Sequence, residues 1–489
     1  MRTQASDPWL VHVLLLAALA VAMYANSLGN GFVGDDRDQL LRNPVVTGHD
    51  LGAAFGSGVW AFRGAQTNYY RPAQFVVYIV LHGLFGPHAF GFHLFFVLLH
   101  AANTILVYFL TARLSGRART ALAAAALFAV HPIHTEVVDW IASLPDLMVT
   151  ALAVFGVWSF ARQGGSPRGR QIVCHGALYL AALLTKETGV MLLPLYLAYD
   201  RVLLRRPWRR NAALYGGMMG VLAVYLAGRW MALGGLAPGQ QTFHRLTPLE
   251  FGLSAVVITA QYLGRLIFPG DLNYFHVFHV TGGLTPGLAI AAVALMAVAA
   301  AGFARPTAPV VRYGILWIAL TLLPALNLTG VGQNVFAERY LYLPSVGFCW
   351  IAGLAWDWCA GRRARAAWAV GISILCAAAW QTMARNPDWR DDYTLLRVTV
   401  AQSPDAGILH NNLAGAYVDR DDLEHALTEE REAVRLEPRS APFHKNLGLL
   451  LMAHDPRAAI AEFEEALRLQ PGDASLPELL REARAAANR

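Results

Sequence analysis

Residues 171–204 read QIVCHGALYLAALLTKETGVMLLPLYLAYDRVLL, two apolar runs parted by Thr185-Lys186-Glu187-Thr188. At about 1.5 Å of helix per residue, neither run covers a hydrocarbon layer of about 30 Å. Their shared tip therefore sits below the membrane surface. A lysine and a glutamate at that depth are tolerated when paired or when they face a wet cavity. Two readings stay open, an ion pair between the two neighbours or a polar hollow that takes a ligand.

The surrounding composition agrees with a membrane bundle. Of 489 residues, 56% are hydrophobic and 15% charged, and the mean hydropathy is +0.39; soluble domains carry roughly a quarter charged residues. The charges divide the chain in two. Residues 1–385 hold 27 basic and 14 acidic side chains, and residues 386–489 hold 12 and 19. We expect a transmembrane domain over 1–385 and a soluble domain over 386–489. Nucleic-acid binding is excluded as a reading, because the basic excess lies between apolar runs and forms no arm or stripe. Cys174, Cys349, Cys359 and Cys376 lie in or beside apolar runs without Cys-x-x-Cys spacing, so no disulfide framework is expected. Lys186 and Lys445 are the only lysines against abundant arginine, which suggests a bacterial source.

Apolar runs at about 9–28, 88–114, 120–142, 147–162, 171–185, 188–204, 211–233, 284–303, 314–329, 340–359 and 366–384 give eleven expected spans. The arginines near 113–119, 162–170, 201–210, 305–312 and 362–365 then fall on one side, which the positive-inside rule makes cytoplasmic. Most acidic residues before 386 face the other side, among them Asp35, Asp36, Glu136, Asp146, Glu187 and Glu338. The alternative that residues 1–22 form a cleaved signal peptide rests on Ala20-Val21-Ala22. A further apolar stretch at 249–268 reads as re-entrant or interfacial, since a crossing there would put Arg362, Arg363 and Arg365 outside.

Prolines 404, 438 and 471 are 34 and 33 residues apart, the period of a helix-turn-helix solenoid. Leu413, Ala414, Tyr417, Ala426 and Ala433, then Leu447, Gly448, Leu451, Ala459, Phe463 and Ala466, occupy the pattern positions of tetratricopeptide repeats. The expected fold class is thus all-α, a polytopic membrane bundle followed by a repeat solenoid. Such repeats offer a surface for an extended peptide or a platform for the membrane part.

The outward loops hold the candidate chemistry. Asp35-Asp36 could be solvated loop charge, or one carboxylate could take a proton from an acceptor hydroxyl while the other orients it. His131-Pro132-Ile133-His134-Thr135-Glu136 leaves room for a divalent metal, or for polar contacts to a sugar or other loops. Asp271-Leu272-Asn273-Tyr274-Phe275-His276 and Glu338-Arg339-Tyr340-Leu341-Tyr342-Leu343-Pro344 add polar and aromatic groups at a membrane boundary. The planar fork of Arg339 suits a phosphate.

The succession Asp35-Asp36, Tyr70-Arg71-Pro72, Gly91-Phe92-His93, His131 to Glu136, Lys186-Glu187, Glu338 to Phe348 and a repeat tail resembles the transmembrane and tetratricopeptide-repeat-containing (TMTC) O-mannosyltransferases. The resemblance implies a GT-C membrane fold and inverting transfer of a mannose-like sugar from a polyprenyl-phosphate carrier to a hydroxyl of a protein or glycan. It makes Asp35 or Asp36 the base. Arg71, Lys186 and Arg339 become candidates for the phosphate side, with Arg229 and Arg265 in reserve, and His131, His134, Glu136, Glu187, Glu338 and Tyr340 for other substrate contacts. No cofactor or metal is implied. Localisation in a bacterial inner membrane, with the site and repeats extracytoplasmic and in contact with membrane lipid, completes the expectation. Two rivals are a ligase or polymerase using a lipid-diphosphate-linked glycan and a non-catalytic membrane-anchored repeat scaffold.

Overall fold

A computed structural model describes residues 8–65, 67–163, 167–238, 246–304, 307–328 and 335–488. Arg305, one of the arginines used above for orientation, lies outside them. No strand occurs among the described residues. The chain divides into two compact units, one of residues up to 272 together with 278–389, the other of Asn273–Val277 with Arg390–Arg489.

Among the described residues of the first unit, six helices are long and apolar enough to cross a membrane: Ala89–Ser115, Ile141–Ala161, Trp208–Leu233, Pro286–Phe303, Pro309–Leu326 and Ala364–Trp389. A seventh is reached if Ala118–Val130 and Pro132–Asp139, bent by 51°, count as one. The expectation of eleven spans is thus not confirmed. The apolar runs are helical, but several of the helices are short. Pro8–Met23 has 16 residues, Gly169–Thr185 has 17, and the run after Glu187 is only the seven-residue helix Leu192–Ala198 between tighter and wider turns. Residues 249–268 form the helix Pro248–Ile267, which buries Ser254, Ile258, Tyr262 and Leu266. That spacing puts one face inward, as for an element lying against a bundle.

Small residues in the helix Tyr342–Ala360 let it meet its neighbours closely. A Cβ on Gly353 would lie 2.7 Å from the Thr120 carbonyl oxygen, and one on Gly347 would lie 2.8 Å from that of Gly314. Both contacts are closer than side chains permit, as expected where packing drives association in lipid. The first loop is folded rather than open. Asn43 caps Pro44–Thr47, Asp50 caps Leu51–Gly56, and Pro72 starts an apolar helix to Phe85. That last helix was not anticipated within the 29–87 loop.

The second unit is a series of paired helices. Asp391, Asp422 and Asp455 cap Asp392–Gln402, Leu423–Leu436 and Pro456–Leu469. Leu413, Ala414, Ala426 and Ala433 are buried, as are Leu447, Gly448, Ala459, Phe463 and Ala466 one period on. Gly448 is required there, because a Cβ would lie 2.6 Å from the Phe463 ring. Asn273–Val277 joins this unit. The Asn273 amide donates to Ser403 Oγ at 2.8 Å, Ser403 donates to the Phe275 carbonyl at 2.8 Å, and Phe275 and Val277 pack on Leu396, Leu409 and Leu413. Phe275 and Val277 thus complete the core of the first helix pair, whereas Leu272 packs with Ile258, Tyr262 and Leu266 of the first unit.

The same clasp recurs in two successive hairpins. His410 Nδ1 lies 2.6 Å from Glu429 and Nε2 lies 2.9 Å from the Pro404 carbonyl; His444 meets Glu462 at 2.6 Å and the Pro438 carbonyl at 3.1 Å. Both partners of His410 only accept, so the protonated ring satisfies them best. The hydrogen bond to Glu429 raises its pKa, against burial. Burial pushes Glu430 up to about 8. A histidine or a carboxyl whose folded pKa exceeds its unfolded value stabilises below the unfolded value and loses that contribution as pH rises through the folded one. Both groups therefore act in one direction. Amide exchange in Gly407–Val418 and Leu423–Leu436 of the full chain is expected to accelerate as pH rises from 6 to 9, after correction for intrinsic exchange. The double variant H410Q/E430Q should flatten that dependence.

Candidate active site

Within the first unit, a cavity of about 230 Å³ is lined by Asn68, Tyr69, Arg71, Asp146, Lys186, Glu187, Arg229 and Tyr340, with apolar groups around them. Local sequence explains how each is presented. Arg71 precedes Pro72 and so stays non-helical at the N-cap of Pro72–Phe85. Asp146 lies in the first turn of Leu144–Ala161, behind Pro145. Lys186 ends Gly169–Thr185 in an extended conformation, φ −157° and ψ 150°. Tyr340 sits in the tight turn Glu338–Leu341, and Arg229 is near the end of Ala212–Leu233.

Lys186 and Glu187 are not paired with each other, which corrects the neighbour ion-pair reading. Adjacent residues in an extended turn point apart, and each finds a distant partner. Lys186 Nζ donates to Asp146 Oδ1 at 2.5 Å. Arg71 donates through Nε at 3.2 Å and Nη2 at 2.8 Å to Glu187 Oε2. Arg229 Nη1 lies 4.0 Å from Glu187 Oε1. Burial would raise the Glu187 pKa, but Arg71 outweighs it and the carboxyl is held below its usual range. Burial lowers the Lys186 pKa, with Asp146 pulling the other way. Aromatic faces complete the cation setting: Arg71 lies 4.5 Å from the Tyr69 ring centroid and Lys186 lies 5.2 Å from that of Tyr340.

Arg339 lies 4.9 Å from the Tyr340 ring and 5.1 Å from that of Trp140. Glu136, with no exposed surface, holds it by accepting from Nη1 at 2.5 Å and from the backbone N–H at 2.8 Å. Behind it Arg385 donates to Glu338 at 2.5 Å and to Thr135 Oγ1 at 2.7 Å. Glu136 and Glu338 thus orient arginines and do not line the cavity. His131 and His134 are also walled in. His131 Nε2 meets the Leu266 carbonyl at 3.0 Å and Nδ1 accepts from Ile133 N–H; His134 Nδ1 meets the Phe128 carbonyl at 2.9 Å and Nε2 meets Ser345 at 2.8 Å. All four ring nitrogens have protein partners, so the pair does not fit a two-histidine metal site. Among the described residues no three His, Cys, Asp or Glu side chains are grouped to hold a metal.

The two first-loop aspartates have unlike settings. Asp36 is fully buried, accepting from Val33 N–H at 3.1 Å and Ala142 N–H at 2.6 Å, and so ties the loop to the start of a spanning helix. Asp35 keeps partial exposure. Burial raises its pKa, the Arg339 guanidinium lowers it, and Asp38 raises it again. Asp38 is itself ion-paired to Arg63 and Arg42. Of the reserves, Arg229 lines the cavity, whereas Arg265 pairs with exposed Asp271 at 3.4 Å. Sequence reasoning did not single out Asn68, Tyr69 or Asp146 as site residues. Asp146 carried a signal, an acid at the head of an apolar helix.

A family model described as dolichyl-phosphate-mannose-protein mannosyltransferase matches residues 73–230, the stretch that carries Asp146, Lys186, Glu187 and Arg229. A protein O-mannosyl-transferase of Caenorhabditis elegans is 25% identical, over 87% of this chain and 63% of its own. TMTC3 of Mus musculus is 23% identical, over 89% and 52%, and TMTC1 of Homo sapiens is 26% identical, over 89% and 56%. The chain resembles the TMTC O-mannosyl-transferases. It spans between half and two thirds of the length of these TMTC relatives. Among solved structures, ArnT from Cupriavidus metallidurans bound to undecaprenyl phosphate aligns with a TM-score of 0.45 and 17% identity, over 99% of this chain and 88% of that one.

The Glu136–Arg339 pair is buried, and removing one member strands the other charge at a cost of about 3–5 kcal/mol. Glu136→Ala is therefore expected to lower the thermal unfolding midpoint of the detergent-solubilised protein by several degrees. Asp38→Ala, which removes a more exposed pair, should shift it far less.

Proposed function

We propose that this TMTC-like chain is an inverting GT-C glycosyltransferase that moves a mannose-like sugar from a polyprenyl-phosphate carrier to a protein hydroxyl, on the extracytoplasmic face of a bacterial inner membrane. One observation carries the reading: three cations, Arg71, Lys186 and Arg229, converge on one cavity with two carboxylates, Asp146 and Glu187. The balance is a single positive charge. A sugar phosphodiester carries a single negative charge and neutralises it, while a lipid-diphosphate donor would leave an excess negative charge in a poorly solvated hollow. That arithmetic favours the monophosphate donor over the diphosphate rival. A non-catalytic scaffold would gain nothing from so many desolvated charges in an apolar domain.

In the reaction, the acceptor oxygen attacks the anomeric carbon as the bond from that carbon to the phosphate oxygen breaks. The bonding pair leaves on the phosphate, where cations stabilise the growing charge. The hydroxyl proton passes to a carboxylate on the opposite face, and a single displacement inverts the anomeric centre. We assign the base to Asp35, which is partly exposed and has its pKa raised by burial. Asp36, committed to two backbone amides, is the residue that holds the loop. Arg339, stacked on Tyr340, links the first loop to the cavity electrostatically. The paired helices of the second unit are read as tetratricopeptide repeats that present an extended peptide or serve as a platform.

Asp35→Asn is expected to keep the folded protein and its binding of polyprenyl phosphate while lowering sugar transfer by about 10²–10⁴-fold, the size of a general-base contribution. Asp36→Asn should lower thermal stability as well as transfer. Full transfer by Asp35→Asn, assayed with a polyprenyl phosphomannose donor, would remove the assigned base.

A further inference from the structure

The carboxylate of Glu187 stands where a phosphate has to go. It takes the Nε and Nη2 edge of Arg71, its second oxygen faces Arg229, and neither Glu187 Oε1 nor Arg229 Nη1 has a hydrogen-bond partner. The Nε and Nη2 edge is the one that binds oxyanions bidentately. The other carboxylate of the cavity is fixed differently. Asp146 and Lys186 form a tight pair with side chains 11% and 6% exposed, whereas the Glu187 side chain is 34% exposed. The Glu187 backbone cannot follow its side chain, because Gly189 N–H bonds the Lys186 carbonyl at 2.9 Å and a Cβ on Gly189 would lie 2.4 Å from the Ala182 carbonyl. The site thus contains an anchored turn carrying a displaceable anion.

We propose that Glu187 is the specificity residue that makes the site prefer the singly charged donor over its doubly charged product, and so expels the spent lipid phosphate. This rests on the glycosyltransferase reading above. Transfer turns a phosphodiester into a phosphomonoester, whose second ionisation has a pKa near 6. With Glu187 ionised the cavity balances one negative charge. The product therefore brings a surplus charge within a few ångströms of a carboxylate that competes for the same guanidinium. Such a repulsion at about 4 Å amounts to between about fivefold and nearly a thousandfold in affinity, according to solvation. Replacing Glu187 by glutamine raises the cavity by one positive charge and removes that penalty for the product, while changing the donor less.

The test measures dissociation constants of undecaprenyl phosphate and of a polyprenyl phosphomannose for the full chain in detergent, at pH 5.5 and 7.5. In the wild-type protein the monoester should bind more weakly at pH 7.5 than at 5.5. In Glu187→Gln it should bind more tightly at 7.5, and the product-to-donor ratio of dissociation constants should fall about fivefold or more. Glu187→Asp keeps the charge and should keep the wild-type ratio, and the wild-type pH series stands even if Glu187→Gln fails to fold. Equal weakening of both ligands in Glu187→Gln, or a wild-type product affinity that rises with pH, would overturn the proposal and leave Glu187 as a support for Arg71. Absence of binding of either ligand to the wild-type protein, with no change in Arg71→Gln, would instead take down the glycosyltransferase reading and this proposal with it.

Discussion

An ionised side chain in an apolar bundle needs an opposite charge, and meeting that need fixes the geometry of the membrane unit. Lys186 reaches Asp146, Arg71 reaches Glu187, Arg339 reaches Glu136 and Arg385 reaches Glu338. Each pair joins segments far apart in sequence, from 40 residues for Lys186 and Asp146 to 203 for Arg339 and Glu136. Buried pairs of this kind add little net stability, since desolvation offsets attraction, yet breaking one is costly. They act as registration pins. The first loop, the heads of two spanning helices and the turn at 338–341 can then meet in one arrangement, and the cavity is the space they leave.

The first loop is pinned by a different means. Asp36 accepts from amides at Val33 and Ala142, so a carboxylate does what a strand ladder would do elsewhere, satisfying backbone donors that burial has removed from water. Gln39, Gln74, Tyr78 and the Ile141 carbonyl continue the seam as a hydrogen-bonded chain. The adjacent Asp35 is thereby held at a fixed place and keeps partial exposure. Two identical side chains in succession thus have unlike settings, one fully buried in the seam and the other partly exposed.

Much of this was legible in the sequence. The apolar runs, the burial of Lys186, and the 34-residue period of the tail follow from length, hydropathy and spacing alone. Partner choice did not, because it is a tertiary property: nothing local says that Glu187 prefers Arg71 to Lys186. Run length also misled where backbone geometry intervened, as in residues 188–204, whose helix is only Leu192–Ala198. Pro72–Phe85 went unseen because a charged loop was expected around it, although Pro72 at the first helical position announced it. Asn273–Val277 read as a boundary motif because polar and aromatic residues alternate there, while its apolar members answer to the core of the helix pairs.

The histidines teach a related point about candidate sites. His131 and His134 are the kind of residues that attract functional readings, and every ring nitrogen is taken by a protein acceptor or donor. Spacing identifies groups able to do chemistry; only the filling of their hydrogen-bond capacity separates those that do it from those that hold the fold. By that criterion the cavity cations are intermediate. Each needs a counter-ion to exist in an apolar domain, and with two carboxylates for three cations the cavity keeps a single positive charge. On the proposed reading, the counter-ions that permit the cations to be there also set what charge a ligand has to bring, so the same side chains bear on both ligand preference and the registration of the bundle.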